Sequence, residues 1–211
     1  MINWTKKLKL HFTDKKFILS FLLAFLLLAT SLIINYYAGT YATEKASNSV
    51  TDIILSNIPV FNVNGIFTYG SIVFWIFMIL ICLYNPKRIP FTVKSMAVFI
   101  IIRSIFIVLT HIAPFPTQIV VSPESVISKF TFGGDLFFSG HTGLPFLMAL
   151  IFWQDKILRY IFIISSLVFG VVVLMGHLHY SIDVLAAFFI TYAIFKISLF
   201  LFKKDREIFI K

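Results

Sequence analysis

His179 and Asp183 stand four residues apart in the stretch GHLHYSID, and His141 lies in the short sequence SGHT. On a helix that spacing puts an imidazole and a carboxylate on one face, within reach of each other. A carboxylate so placed holds a proton on one ring nitrogen and aims the lone pair of the other, which is what a nucleophile or general base requires. A second histidine, brought to the same depth by another helix, can give a proton to a leaving group. Taken singly, each residue has a plainer reading, because a histidine near a helix end is commonly solvated or hydrogen-bonded for structural reasons. Three ionisable groups converging in a chain with only 13% charged residues are harder to dismiss. Such groups near membrane depth are costly and usually functional.

The chain that must position them has 211 residues, 59% of them hydrophobic, with 26 Phe and a mean hydropathy of +0.95. A soluble domain is roughly 45–50% apolar, so this composition reads as an integral membrane protein. The single cysteine, Cys82, lies inside an apolar run and excludes both a disulfide framework and a thiolate metal cluster. The formal charge of +9 does not read as nucleic-acid binding, because the basic residues flank apolar runs and form no long tract.

Apolar stretches of about 17–25 residues, the length that crosses a hydrocarbon core, occur near 17–37, 68–84, 95–114, 137–153, 158–175 and 182–202. None alternates with period two, so all are expected to be helices. The first is also open to a signal-peptide reading, since Lys15 and Lys16 precede it and Ala-Gly-Thr-Tyr-Ala follows, although its apolar run exceeds an ordinary h-region. Counting Lys and Arg by side, fourteen fall with the termini and the 85–94 and 154–157 segments, against Lys45 and Lys129 on the other. Both termini are therefore expected in the cytoplasm, and 38–67, 115–136 and 176–181 outside. Within the first of these, Val50, Ile53, Ile54 and Ile58 recur near helical spacing and predict a short interfacial helix ended by Pro59. The prolines of APFPTQIVVSP predict a shaped turn. The expected fold is thus an all-α integral membrane bundle of six transmembrane helices with an extracytoplasmic interfacial helix. Residues 1–16 form one basic tail, 17–202 a single membrane domain and 203–211 a second basic tail.

The segments GDLFFSGHT and HYSIDVLAAFFITY closely resemble the two signature segments of the sphingomyelin synthase-like family, within the superfamily of type 2 phosphatidic acid phosphatases. RSIFIVLTHIAPFP is similar to a third, weaker segment, and the resemblance spans about residues 50–200. It implies that His179 attacks phosphorus to form a phosphohistidine, that Asp183 orients it and stabilises the imidazolium, and that His141 protonates the departing lipid alkoxide. It implies no metal and no other cofactor, because imidazolium, backbone N–H groups and arginine can neutralise phosphoryl oxygens. The substrate-binding set expected around the triad is Arg103, Asp135, Ser139, Gly140, Thr142 and Tyr180.

The departures from that pattern carry information too. The phosphatase branch has an arginine six residues before its nucleophilic histidine, where this chain has Val173, and no Lys-to-Arg-Pro segment is evident. Arg103 is the candidate replacement cation, with pairing to Asp135 or snorkelling as the plainer alternatives. Ser139 and Thr142 are candidates either for phosphate contact or for capping the fourth span. His111 and His177 read as structural. The function expected is transfer of a phospho-headgroup from a phospholipid donor to a lipid alcohol, with hydrolysis by water as the alternative. A non-enzymatic transporter or scaffold fits less well, because transporters place their polar residues near the midplane, and here they gather at one edge. The Lys, Ile and Phe usage leans toward a bacterial cytoplasmic membrane.

Overall fold

The computed structural model describes residues 13–120 and 135–210. The expectations for the N-terminal basic tail through residue 12, for Lys129, Gly133 and Gly134, and for Lys211 fall outside these. Seven α-helices are present: α1 (Lys15–Glu44), α2 (Asn64–Tyr84), α3 (Ile89–Leu109), α4 (Gly140–Ile151), α5 (Lys156–Met175), α6 (Ser181–Leu201) and α7 (Lys203–Ile210), with a 3-10 turn at Pro86–Arg88 before α3. No strand occurs among the described residues.

Five helices are long and apolar enough to cross a membrane: α1, α2, α3 with its 3-10 turn, α5 and α6. The fourth expected span is not of that kind. At 12 residues, α4 rises about 18 Å, short of a hydrocarbon core of about 30 Å. The apolar run 137–153 that predicted a full span includes Phe137 and Phe138, whose φ values of 113° and 32° are not helical, and Phe152 and Trp153, which lie beyond the helix in the turn to α5. Asp155 then caps α5, its carboxylate accepting from the Leu158 N–H at 3.2 Å.

The expected interfacial helix is also replaced, by a pair of overlapping turns. The Asp52 carbonyl accepts from Ser56 N–H at 2.9 Å and that of Ile54 from Ile58 N–H at 3.1 Å, and no regular helix follows. Two such bonds cannot offset the cost of nucleating a helix that Pro59 stops at once. The segment 111–120, ahead of the residues outside the described set, is extended with a turn closed by Gln118 N–H to the Phe115 carbonyl at 2.9 Å, in keeping with its prolines.

Helix α3 is the most enclosed of the long helices. It packs along α1 on one side and against α6 and α4 on the other, while α5 packs on α4. Gly143 permits a close approach of α4 to two of these helices: a Cβ there would lie 2.7 Å from the Phe99 ring of α3 and 2.8 Å from Thr191 Oγ1 of α6.

The expected C-terminal tail is folded. α7 lies across the end of the bundle opposite the histidines, with Phe209 buried against Phe152 and Phe91, ring centroids 5.3 and 5.9 Å away. Lys94 Nζ reaches Asp205 Oδ2 at 2.7 Å and Ser20 Oγ at 2.8 Å, tying α3, α7 and α1 together. Both members of the ion pair are about 10% exposed. Removing one partner of a buried pair leaves the other uncompensated and costs about 3–5 kcal/mol, whereas replacing both by apolar residues costs far less. Lys94→Ala or Asp205→Ala is therefore expected to lower the unfolding temperature of the purified protein sharply, and Lys94→Leu with Asp205→Leu to recover most of the loss, as read by a thermal melt in detergent.

Candidate active site

The loop between α5 and α6 delivers His179, and the first turn of α6 delivers Asp183. The one helix face expected from their spacing is not what joins them, because His179 lies ahead of the helix. Tyr180 is the N-cap of α6, and its N–H donates to Asp183 Oδ2 at 3.1 Å, so the carboxylate folds back over the helix start. The same oxygen lies 3.1 Å from His179 Nδ1. Because Asp183 already accepts from a backbone donor, the proton between the pair belongs on Nδ1, leaving Nε2 with its lone pair. His179 is 7% exposed and Asp183 1%, so this pair is shielded from bulk solvent.

The main-chain carbonyl of Asp183 does a second job. It accepts from the Ser139 N–H at 3.0 Å and so fastens the start of α4 to the start of α6. Ser139 is the N-cap of α4, its hydroxyl accepting from the Thr142 N–H at 3.3 Å. Two residues later His141 lies in the first turn, its ring 4.2 Å from that of Phe67 on α2 and 6.2 Å from Phe169 on α5. Pro145, with no N–H, cannot close the helical bond to the His141 carbonyl, so the first turn of α4 is less tightly held from below.

The other expected residues divide. Arg103 is paired with Asp135, Nη2 to Oδ2 at 2.9 Å, and the same Nη2 donates to the Asp135 carbonyl at 2.7 Å. Gly140 packs on that guanidinium, a Cβ there lying 3.4 Å from Arg103 Nε. Thr142 turns the other way, toward Gly170 of α5, where its Oγ1 has no hydrogen-bond partner. Tyr180 points into the segments that follow α1 and α3: its hydroxyl donates to the Ala113 carbonyl at 2.8 Å and accepts from Val50 N–H at 3.2 Å. His177, with φ 52°, meets the Thr117 hydroxyl through Nδ1, and the His111 ring packs edge-on to Tyr41. Phe137 and Phe138, just ahead of the site, hold a left-handed backbone that costs about 1–3 kcal/mol per residue. Among the described residues, no three His, Cys, Asp or Glu side chains are placed to share a metal ion.

Residues 133–199 match the family described as PAP2 superfamily C-terminal. This stretch contains His141, His179 and Asp183. The match supports the PAP2 superfamily. With the apolar helices, it indicates a phosphatase- or phosphotransferase-type lipid enzyme that is integral to a membrane. No curated protein and no solved structure matches the chain.

Asp52 was not foreseen as part of this region. Its Oδ2 accepts from the Ser181 N–H, in the first turn of α6, at 2.7 Å, while Oδ1 accepts from Ile54 and Leu55 N–H at 2.8 and 3.0 Å. The signal in the sequence is a lone acid within SVTDIILSNIPVF, where a carboxylate without a basic partner calls for backbone donors. Burial pushes the Asp52 carboxyl up, but the N–H groups of Leu55, Ser181 and Ile54 outweigh it and hold it below its ordinary 3.8. A carboxyl depressed in the folded state adds stability that is fully present above its unfolded value and is lost as pH falls through the folded one. Acid unfolding below about pH 3.8 should therefore include a proton uptake by Asp52. Asp52→Asn is expected to lower stability at pH 7 and flatten that acid limb, measured by melts across pH.

Proposed function

We propose that the protein is a lipid phospho-headgroup transferase that works through a phosphohistidine, as the resemblance of its two histidine segments to the sphingomyelin synthase-like family implies. The observation that carries this reading is the 3.1 Å contact of His179 Nδ1 with a buried Asp183 whose own carbonyl anchors the turn bearing His141. His179 Nε2 attacks phosphorus, the P–N bond forms, and the P–O bond to the lipid alkoxide breaks. His141 gives its proton to that oxygen, and Asp183 stabilises the imidazolium charge that develops on His179. In the second half-reaction His141 takes the proton of the acceptor hydroxyl, the new P–O bond forms and the P–N bond breaks.

The first-turn N–H groups of α4, with the positive end of the helix dipole, suit the phosphoryl oxygens. Ser139 supports that turn as its cap, and Gly140 keeps it free of a side chain. Tyr180 acts by holding the outer loops over the site. The near-complete enclosure of His179 and Asp183 favours a bound lipid alcohol over bulk water as acceptor. The Lys and Arg distribution supports an extracytoplasmic site with both termini in the cytoplasm.

The test is to supply purified protein with a labelled phospholipid, with and without a lipid alcohol, and to identify products by mass spectrometry. A new phospho-headgroup lipid is expected. Release of free phosphate or free phospho-headgroup alone would make the protein a hydrolase. His179→Ala and His141→Ala are each expected to reduce turnover by roughly 10³-fold or more. Asp183→Asn, which favours the wrong tautomer, should lose kcat with little change in KM. Wild-type turnover in any of these variants would remove that residue from the mechanism.

A further inference from the structure

We propose that Arg103 is a positioning residue: together with Asp135 it holds the backbone turn at Phe137 and Phe138 that aims the first turn of α4, and with it His141, at the site of phosphoryl transfer. The inference rests on the reading of His141 as the proton donor, and it gives Arg103 a different task from that of a cation waiting for substrate.

The turn is an improbable one. Phe137 and Phe138 have φ of 113° and 32°, values that a residue with a side chain rarely adopts and keeps only where its surroundings over-determine it. Those surroundings come from one stripe of α3 and from Thr110, its C-cap. Arg103 Nη2 donates to the Asp135 carbonyl at 2.7 Å and Nε to the Phe138 carbonyl at 3.2 Å, so a single guanidinium brackets the strained pair. Thr110 Oγ1 donates to the intervening Leu136 carbonyl at 3.0 Å. Phe106 stacks on Phe137 with centroids 5.4 Å apart and stands edge-on to Phe138 at 5.9 Å, and Phe99 meets Phe138 edge-on at 5.4 Å. Phe99, Arg103, Phe106 and Thr110 follow the i, i+4, i+7, i+11 spacing of one helix face.

Whatever fixes Phe138 fixes what comes next. Ser139 caps α4 and bonds to the Asp183 carbonyl, Gly140 packs on Arg103 itself, and His141 follows. The bond from Arg103 to the Asp135 carboxylate completes the grip and neutralises a guanidinium that would otherwise be buried unpaired. A fork with donors in fixed directions can bracket two carbonyls at once, and a lysine, a single point of charge, cannot.

The two roles predict opposite behaviour for Arg103→Lys. If the clamp is the task, keeping the charge does not help. Hydrogen exchange, followed by mass spectrometry on the full-length protein in nanodiscs, should show the amides of residues 137–142 exchanging at least about tenfold faster than wild type, the effect of losing a charge-assisted hydrogen bond. Exchange within α1 should be unchanged. Adding Phe137→Gly should restore most of the protection, because glycine takes that φ without strain, and turnover should recover with it through kcat while KM stays near wild type. Wild-type protection in Arg103→Lys alongside a raised KM would overturn the proposal in favour of direct substrate binding, and so would protection that Phe137→Gly fails to restore. Should Arg103→Lys not fold, Asp135→Asn, which loses only the carboxylate arm of the grip, should give the same local pattern at smaller amplitude; its absence would also count against the clamp. Exchange needs no turnover, so a protein inactive on every phospholipid would remove the assignment of His141 without deciding the clamp, which the exchange data decide alone.

Discussion

The candidate site depends on one residue that bonds in two directions. The Asp183 carboxylate accepts from His179 Nδ1 and from the Tyr180 N–H, and its carbonyl accepts from the Ser139 N–H. The first bond sets the tautomer and aim of one histidine, the second fixes the start of α6, and the third brings the helix carrying the other histidine to that same point. A buried carboxylate is costly unless its lone pairs are occupied, so the local backbone is built to occupy them. What satisfies Asp183 also assembles the histidines.

The same economy governs the loops at that end of the bundle. Asp52, from the chain between α1 and α2, donates nothing and accepts from three N–H groups, one of them in the first turn of α6. Tyr180 OH joins Ala113, from the chain after α3, to Val50. In each case a polar side chain from one loop satisfies a backbone group of another. Loops that would otherwise bury unpaired amides near the apolar zone thereby become a roof for the site.

How far the sequence discloses this structure follows from the range of the interactions involved. The long helices are legible because an apolar run is a local property. The nearness of His179 and Asp183 follows from their short separation, although His179 precedes the N-cap of α6 and meets the carboxylate where it folds back over the helix start, not across a shared helix face. The short α4 is not legible, because Phe137, Phe138, Phe152 and Trp153 are as apolar as the helix they flank, and only their contacts with α3, α5 and α7 decide that they lie outside it. The turns at 52–58 are hidden for a related reason: Ile53, Ile54 and Ile58 have helical spacing, but the Asp52 carboxylate finds its donors across the chain at Ser181. The pairing of Arg103 with Asp135 could be named as one option among several, and the strained phenylalanines between them could not, since nothing in Leu-Phe-Phe announces a positive φ. Val173 is fully buried beside Val63 and Phe67, so that position serves packing.

The shortness of α4 has a consequence at the far end of the molecule. A helix leaves carbonyls at its C-terminus without intrahelical partners. Arg206 of α7 supplies one, its Nη1 donating to the Ile151 carbonyl at 2.7 Å, while its guanidinium lies 4.7 Å over the Phe209 ring. A cation at that end also complements the helix dipole, whose opposite pole lies at His141. α7 is in turn held by the Lys94–Asp205 pair on α3, the helix that also carries Arg103 at the other end. The helix bearing His141 is thus fixed at its start by Ser139 and Asp183 and at its finish by Arg206, and both fixings trace back to α3. A bundle built in this way holds a short helix at both of its ends, so the turn that carries His141 is fixed from two sides.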